Sequence, residues 1–140
     1  MGLRNDLMRT PIESRFRYDP GENLFFINFE NLEVKTQEDI ERIRALVEGI
    51  LTPLGRKVST VVNYDNFSVS LDLADAYAHM VRDVVNRFYS SVSRYSTSAF
   101  MRMMLGLKFS RHGLSPEIYA GAAEAIESAK RARPATGDKS

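Results

Sequence analysis

Polar and apolar residues follow two different periods along this chain, and each change of period marks a predicted element. Residues 15–19 and 24–29 carry aromatic and β-branched side chains on both sides of a Pro-Gly-Glu-Asn sequence at residues 20–23, which is typical of a turn. These residues predict a β-hairpin. A β-branched run centred on residues 58–62 and a weaker, serine-rich run at residues 92–97 predict two more strands.

Apolar residues spaced three and four apart predict four helices. They cover, in order, residues 37–51, 71–88, 99–110 and 116–129. Thr36, Ser70 and Ser98 are the predicted caps of the first three helices. Ser115, followed by Pro116 and an acidic first turn, predicts the start of the fourth helix.

The predicted order is therefore β-β-α-β-α-β-α-α, which indicates an α/β fold. Strands that alternate with helices favour a small mixed sheet with right-handed parallel crossovers, and we expect the helices to lie mainly on one face. We predict a linker or arm at residues 1–14, one domain at residues 15–130 and a disordered basic tail at residues 131–140. The tail follows from a net charge of about +3 over residues 130–140.

Composition excludes several kinds of function. The 140 residues include no cysteine, which rules out disulfides, thiolate nucleophiles and cysteine-based metal sites. A net charge of +1 disfavours binding to nucleic acid. No apolar run approaches the ~20 residues that cross a bilayer, so we expect no membrane association and a cytoplasmic location.

One polar loop is the main candidate for ligand binding. It follows the strand at residues 57–64, and a second polar segment follows the next strand, so both should lie at the carboxyl edge of the sheet, where α/β folds bind ligands. The candidate residues are Asn63, Asp65, Asn66, Ser68, Ser70, Arg94, Ser96, Thr97 and Ser98. A small anion is the ligand that this set suggests. The alternatives are that the loop residues only form turns and caps, and that Asp65 and Arg94 only form an ion pair.

No pattern of a catalytic or metal site occurs in the sequence. His79 is predicted to lie at the surface or boundary of a helix, and His112 at the end of one; neither belongs to an HxxxH or HExxH pattern. A G-x-S-x-G elbow and a glycine-rich phosphate loop are also missing. The methionine-rich helix at residues 99–110 is apolar nearly all round, which suits either a buried helix or a surface for self-association or a partner.

Several longer segments resemble a known family. Tyr18-Asp-Pro-Gly-Glu-Asn-Leu-Phe-Phe-Ile-Asn-Phe-Glu, Val62-Asn-Tyr-Asp-Asn-Phe and Arg94-Tyr-Ser-Thr-Ser are similar to the C-terminal region of bacterial acyl-CoA:acetate/3-ketoacid CoA-transferases. The similarity runs over about residues 1–128. In that family the catalytic glutamate lies in two upstream lobes, and no glutamate of this chain matches its motif.

The resemblance implies a non-catalytic accessory domain with a role in assembly or regulation. Its expected partners are CoA-transferase catalytic domains or a second copy of the chain, and coenzyme A would be bound only by the parent enzyme. The element order is also similar to the STAS domain of anti-sigma-factor antagonists, which implies a phosphorylation switch at Ser68 or Ser70. The Asp-Ser-Ser-Gly pattern of those antagonists is missing here.

Overall fold

A five-stranded mixed sheet forms the centre of the structure, a computed structural model that describes residues 12–132. The seven strands are β1 (Phe16–Asp19), β2 (Leu24–Asn28), β3 (Glu33–Val34), β4 (Val58–Asn63), β5 (Ser68–Val69), β6 (Tyr89–Tyr95) and β7 (Ile118–Tyr119). The main sheet has the order β1-β2-β4-β6-β7, and β3 pairs with β5 in a separate sheet. Only β1 and β2 are antiparallel; the other pairs are parallel. The predicted mixed α/β fold is therefore confirmed.

The helices are α1 (Gln37–Leu51), α2 (Ala74–Phe88), α3 (Ala99–Arg111) and α4 (Ala122–Ala132). Short 3-10 turns cover Ile12–Arg15, Thr52–Leu54 and Leu71–Leu73. Helix α1 begins with a capping box, in which the Thr36 hydroxyl accepts from the Asp39 amide and the Asp39 carboxylate accepts from the Thr36 amide.

Helices cover both faces of the main sheet, but unequally. Side chains of α1, α2 and α3 share the larger core cluster with Phe25 of β2. On the opposite face, α4 contributes Ala125 and Ala129 to a smaller cluster with Leu24 and Val61. Adjacent residues of β2 thus point to opposite faces, and both faces are covered, which explains why the strand is apolar throughout.

The fourth helix begins later than the sequence predicts. Ser115, Pro116 and Glu117 resemble a helix start, but Ile118 and Tyr119 instead pair with β6 as strand β7. Pairing with an exposed sheet edge depends on contacts far apart in sequence, which a local capping pattern does not report.

The cap predicted for the second helix is also wrong. The Ser70 side chain forms no capping hydrogen bond; it precedes a 3-10 turn, and α2 starts at Ala74. Most of the predicted arm (residues 1–14) and tail (residues 131–140) lies outside the described residues.

Candidate functional site

Much of the polar segment after β4 is hydrogen-bonded to itself or to other loops. The Asn63 side chain accepts from the Asp65 amide at 2.8 Å and donates to the Asn28 side chain at 3.2 Å. Asn66, with a left-handed φ of 54°, donates to the Asn31 side chain at 2.7 Å. These bonds join the loop to the segment after β2, where β3 and β5 also pair.

Asp65 lies at the centre of a second set of bonds, to the segment after β6. Its Oδ1 atom accepts from the Ser96 hydroxyl at 3.2 Å, the Thr97 amide at 2.6 Å and the Thr97 hydroxyl at 3.0 Å. The Ser98 hydroxyl caps α3 by accepting from the Met101 amide. The structure therefore brings four predicted site residues together, in contacts that the turn-and-cap alternative also requires. Ligand binding by this loop stays a prediction.

The two serines considered for phosphorylation lie on either side of Val69. Ser68 is exposed in β5, and its amide donates to the Leu32 carbonyl at 3.0 Å. The Ser70 amide donates to the Val34 carbonyl at 2.9 Å. The backbone amides of both serines therefore stabilise the β3–β5 pair. A phosphorylation switch at either residue stays a prediction.

Arg94 lies away from the polar loop, in the larger core. Its side chain is 1% exposed, and its guanidinium carbon lies 4.3 Å from the centre of the Phe109 ring. Nη1 donates to the Ser115 carbonyl at 3.4 Å. Within residues 12–132, no hydrogen bond or ion pair joins Arg94 to Asp65.

A cleft of about 290 Å³ opens near the carboxyl ends of β2 and β4, against α4. Its lining includes Arg15, Arg17, Asn28, Asn63 and Tyr95, together with apolar side chains that include Phe26, Val61 and Ile126. Two cations, two amides and a phenol thus surround a partly apolar floor. This composition suits a small anion that also carries apolar atoms.

Burial affects the charged and polar groups of the cleft. The Nη1 atom of Arg15 donates to the carbonyls of Asn28 and Glu30, each at 2.9 Å, whereas its Nε is buried without a partner in the described structure. Burial lowers the pKa of Arg15, and the nearby Glu30 carboxylate partly offsets that effect. Burial also raises the pKa of Tyr95, with smaller contributions from Asp65 and Glu30.

The sequence did not predict this cleft, because its two arginines come before β2 and β4 in the chain. The cleft lies at the carboxyl ends of those two strands. The antiparallel register places Arg17 opposite Phe26, and the Arg17 guanidinium lies 4.3 Å above the Phe26 ring. The available signal was the spacing of Arg15 and Arg17 in the predicted first strand, where residues two apart share a face. In the structure Arg15 ends the 3-10 turn and Arg17 lies in β1.

The histidines lie near each other at the surface. His79 is exposed, as predicted, and His112 caps the C-terminus of α3. The His112 Nε2 atom is 3.2 Å from an Asp75 carboxylate oxygen. Among the described residues, no group of three or more His, Asp or Glu side chains is placed to hold a metal ion.

Helix α3 is buried on one face and exposed on another, so it is not the fully buried helix of the first alternative; association through the exposed face stays a prediction. Leu105 and Phe109 pack in the core. On the other face, Phe100, Met103 and Leu107 are 65%, 55% and 53% exposed, and we call these three residues the α3 apolar stripe.

Comparison of the chain with protein-family models, characterised proteins and solved structures gives no match. In the described part of the chain, no helix has the length and apolar character needed to cross a membrane.

Proposed function

We propose that this chain is a non-catalytic, cytoplasmic accessory domain that assembles with the catalytic domains of an acyl-CoA:carboxylate CoA-transferase. It would bind no cofactor of its own, and coenzyme A would be bound by the parent enzyme. The observation that supports binding through a surface is the α3 apolar stripe. The choice of partner rests on the sequence resemblance.

The α3 apolar stripe has the spacing of a helical docking face. Its residues are separated by three and four positions, so they lie side by side along the helix. Large exposed apolar side chains grouped in this way are typical of protein interaction sites. Every charged residue of α3 is basic, and Lys108 and Arg111 lie in its last turn. A complementary partner would offer an apolar groove with an acidic rim.

Binding to the purified two-lobed catalytic fragment of a CoA-transferase from the same organism tests this proposal. Titration calorimetry should show one domain per fragment, and the domain alone should transfer no coenzyme A. Phe100→Asp and Leu107→Asp should each weaken binding at least about tenfold, because each introduces a charge into an apolar contact. Leu71→Asp is the matched control, since Leu71 is 83% exposed but lies outside α3.

Three results would contradict the proposal. The first is coenzyme A transfer by the isolated chain. The second is no binding to the fragment by the folded domain, and a concentration-dependent dimer in that case would favour self-association instead. The third is an equal effect of Leu71→Asp and Phe100→Asp, which would remove α3 from the interface.

The cleft near α4 favours a second candidate function, the binding of a small carboxylate or similar anion. Its volume lies near the lower limit of about 300 Å³ for ligand pockets, so a whole acyl-CoA would exceed it. Thermal-shift measurements with short carboxylates, coenzyme A and acyl-CoAs should show stabilisation by the carboxylates. Arg17→Ala should abolish that shift, and exposed Arg82→Ala should keep it. Equal shifts in both variants would exclude the cleft as the site.

A further inference from the structure

Two neighbouring rows of side chains form the sheet wall of the cleft near α4. Strand register places Arg17 of β1 beside Phe26 of β2, and Phe26 beside Val61 of β4. The next row, towards the carboxyl ends of β2 and β4, consists of Asn28, Asn63 and Tyr95. Both rows line the cleft, because residues two apart in a strand share a face. The wall therefore has an apolar row with a cation at its outer end, and a polar row above it.

The cleft has one cation without a polar partner in the described structure, Arg17. Within residues 12–132 Arg17 forms no hydrogen bond or ion pair, and its guanidinium group lies over the Phe26 ring. Arg15, in contrast, donates to two backbone carbonyls, and the nearby Glu30 carboxylate partly balances its charge. A ligand with one carboxylate therefore matches the cleft, whereas a second carboxylate would be left unpaired.

Two neutral donors of the polar row also have no acceptor among residues 12–132. The Asn28 oxygen accepts from the Glu30 amide at 3.0 Å and from the Asn63 side chain at 3.2 Å, but the Asn28 Nδ2 atom has no acceptor there. The Tyr95 hydroxyl forms no hydrogen bond with the described residues. Burial raises the Tyr95 pKa, with smaller contributions from Asp65 and Glu30, so this phenol is protonated near pH 7. Both groups can therefore donate to oxygen atoms of a ligand.

The two half-buried aromatic side chains of the cleft, Phe26 and Tyr95, have no aromatic partner. Neither ring contacts another ring within residues 12–132, whereas many aromatic rings of the larger core pack against one another. Strand β4 separates β2 from β6, so the backbones that carry Phe26 and Tyr95 lie about 10 Å apart. Aromatic pairs favour centroid distances of about 4.5–7 Å, so a ligand ring above Val61 can contact both. Ile126 of α4 would cover the ring from the other side.

We propose that this cleft binds an aromatic monocarboxylate, with its carboxylate at Arg17 and Asn28 and its ring between Phe26 and Tyr95. This inference rests on the carboxylate-binding function proposed above and names the class of ligand. Arg17 and Asn28 are diagonal neighbours on adjacent strands, close enough to bind one carboxylate together. Phosphate would leave the apolar row uncovered, and an aliphatic acid would form no aromatic contact.

NMR titration of the wild-type protein with benzoate and cyclohexanecarboxylate tests the proposal, since both probes carry one carboxylate on a ring of the same size. Benzoate should bind about tenfold more tightly, because only benzoate forms the two aromatic contacts. Phthalate, with its second carboxylate, should bind more weakly than benzoate. Equal affinities for benzoate and cyclohexanecarboxylate would overturn the aromatic class and leave carboxylate binding in place. If neither probe binds, both the inference and the carboxylate-binding function are wrong.

Substitutions test the position of the ligand. Tyr95→Leu should reduce the preference for benzoate about threefold, because one aromatic contact is lost. Tyr95→Phe is the matched control; it keeps the ring and should keep the preference. Binding of cyclohexanecarboxylate by both variants would show that the cleft is still formed. Arg17→Gln should weaken both probes at least about tenfold, because the ion pair is lost. An unchanged preference in Tyr95→Leu, or unchanged binding by Arg17→Gln, would overturn the proposal.

Discussion

Three buried tyrosines make the fold sensitive to alkali. Tyr64, Tyr77 and Tyr89 are 2%, 3% and 7% exposed, and burial is the largest cause of the raised pKa of each. In the unfolded chain these phenols ionise near pH 10. Above that pH the unfolded state releases protons that the folded state keeps. Stability is therefore fully present below about pH 10 and falls as the pH rises towards the folded pKa values.

The loss is large enough to measure. At pH 11 each phenol that stays protonated in the folded state costs about 1.4 kcal/mol, so the three together lower the free energy of unfolding by about 4 kcal/mol. A domain of this size has a stability of about 5–15 kcal/mol. Urea unfolding followed by circular dichroism should therefore show a midpoint roughly 2 M lower at pH 11 than at pH 9.

Tyrosinate absorbance during an alkaline titration can refute the predicted coupling between tyrosine ionisation and unfolding. The chain has six tyrosines, and the three buried ones should ionise only together with unfolding. If all six titrate in one smooth step while the circular dichroism stays native, the buried cluster is accessible and the reasoning fails. Tyr89→Phe should reduce the alkaline loss by about one third, and an unchanged loss would exclude Tyr89 from the effect.

Two further sets of substitutions test the packing and the loops. Gly106→Ala should destabilise the fold by about 1–3 kcal/mol, because the new Cβ would lie 2.8 Å from the Pro116 carbonyl oxygen. Gly49→Ala on α1 places a Cβ with nothing within 4 Å and should stabilise the fold by about 0.5–1 kcal/mol. Thermal unfolding measures both variants. A Gly106→Ala variant more stable than the wild type would refute the close approach of Gly106 to the Pro116 carbonyl. Asp65→Ala should cost about 1–3 kcal/mol because it leaves the Thr97 amide and hydroxyl without their acceptor, whereas Asp65→Asn should cost less. Equal urea midpoints for these two variants would show that the carboxylate oxygen is not the acceptor that matters.

Local patterns were sufficient for the main elements. The hairpin, α1, β4 and α3 occur close to their predicted positions because a turn sequence, a cap or a clear apolar pattern marks each of them. Strand β6 was predicted from a weaker run at residues 92–97 and spans Tyr89–Tyr95. Pairings between distant segments were missed. The two-residue strands β3 and β5 have no period to detect, and β7 forms only because β6 offers it an edge.

The position of Arg94 shows why the candidate site was harder to predict. Its neighbours Ser96, Thr97 and Ser98 suggested a polar crevice, yet its side chain lies in the core. The β4–β6 register is regular from Ser91 to Tyr95, so Arg94 lies on the same face as Val92, and that face is the one covered by the larger core. A buried arginine also contradicts the usual preference of charged residues for the surface.

The cover supplied by α4 has a consequence for the order of folding during synthesis. Leu24 and Val61 have left the ribosome long before Ala125 and Ala129, which complete the cluster on their face of the sheet. The opposite face receives α1 and α2 much earlier. A nascent chain that has all its major strands therefore still exposes an apolar sheet face, the kind of surface on which partly folded chains aggregate. Helix α4, the shortest of the described α-helices, is thus the one whose packing covers this apolar face.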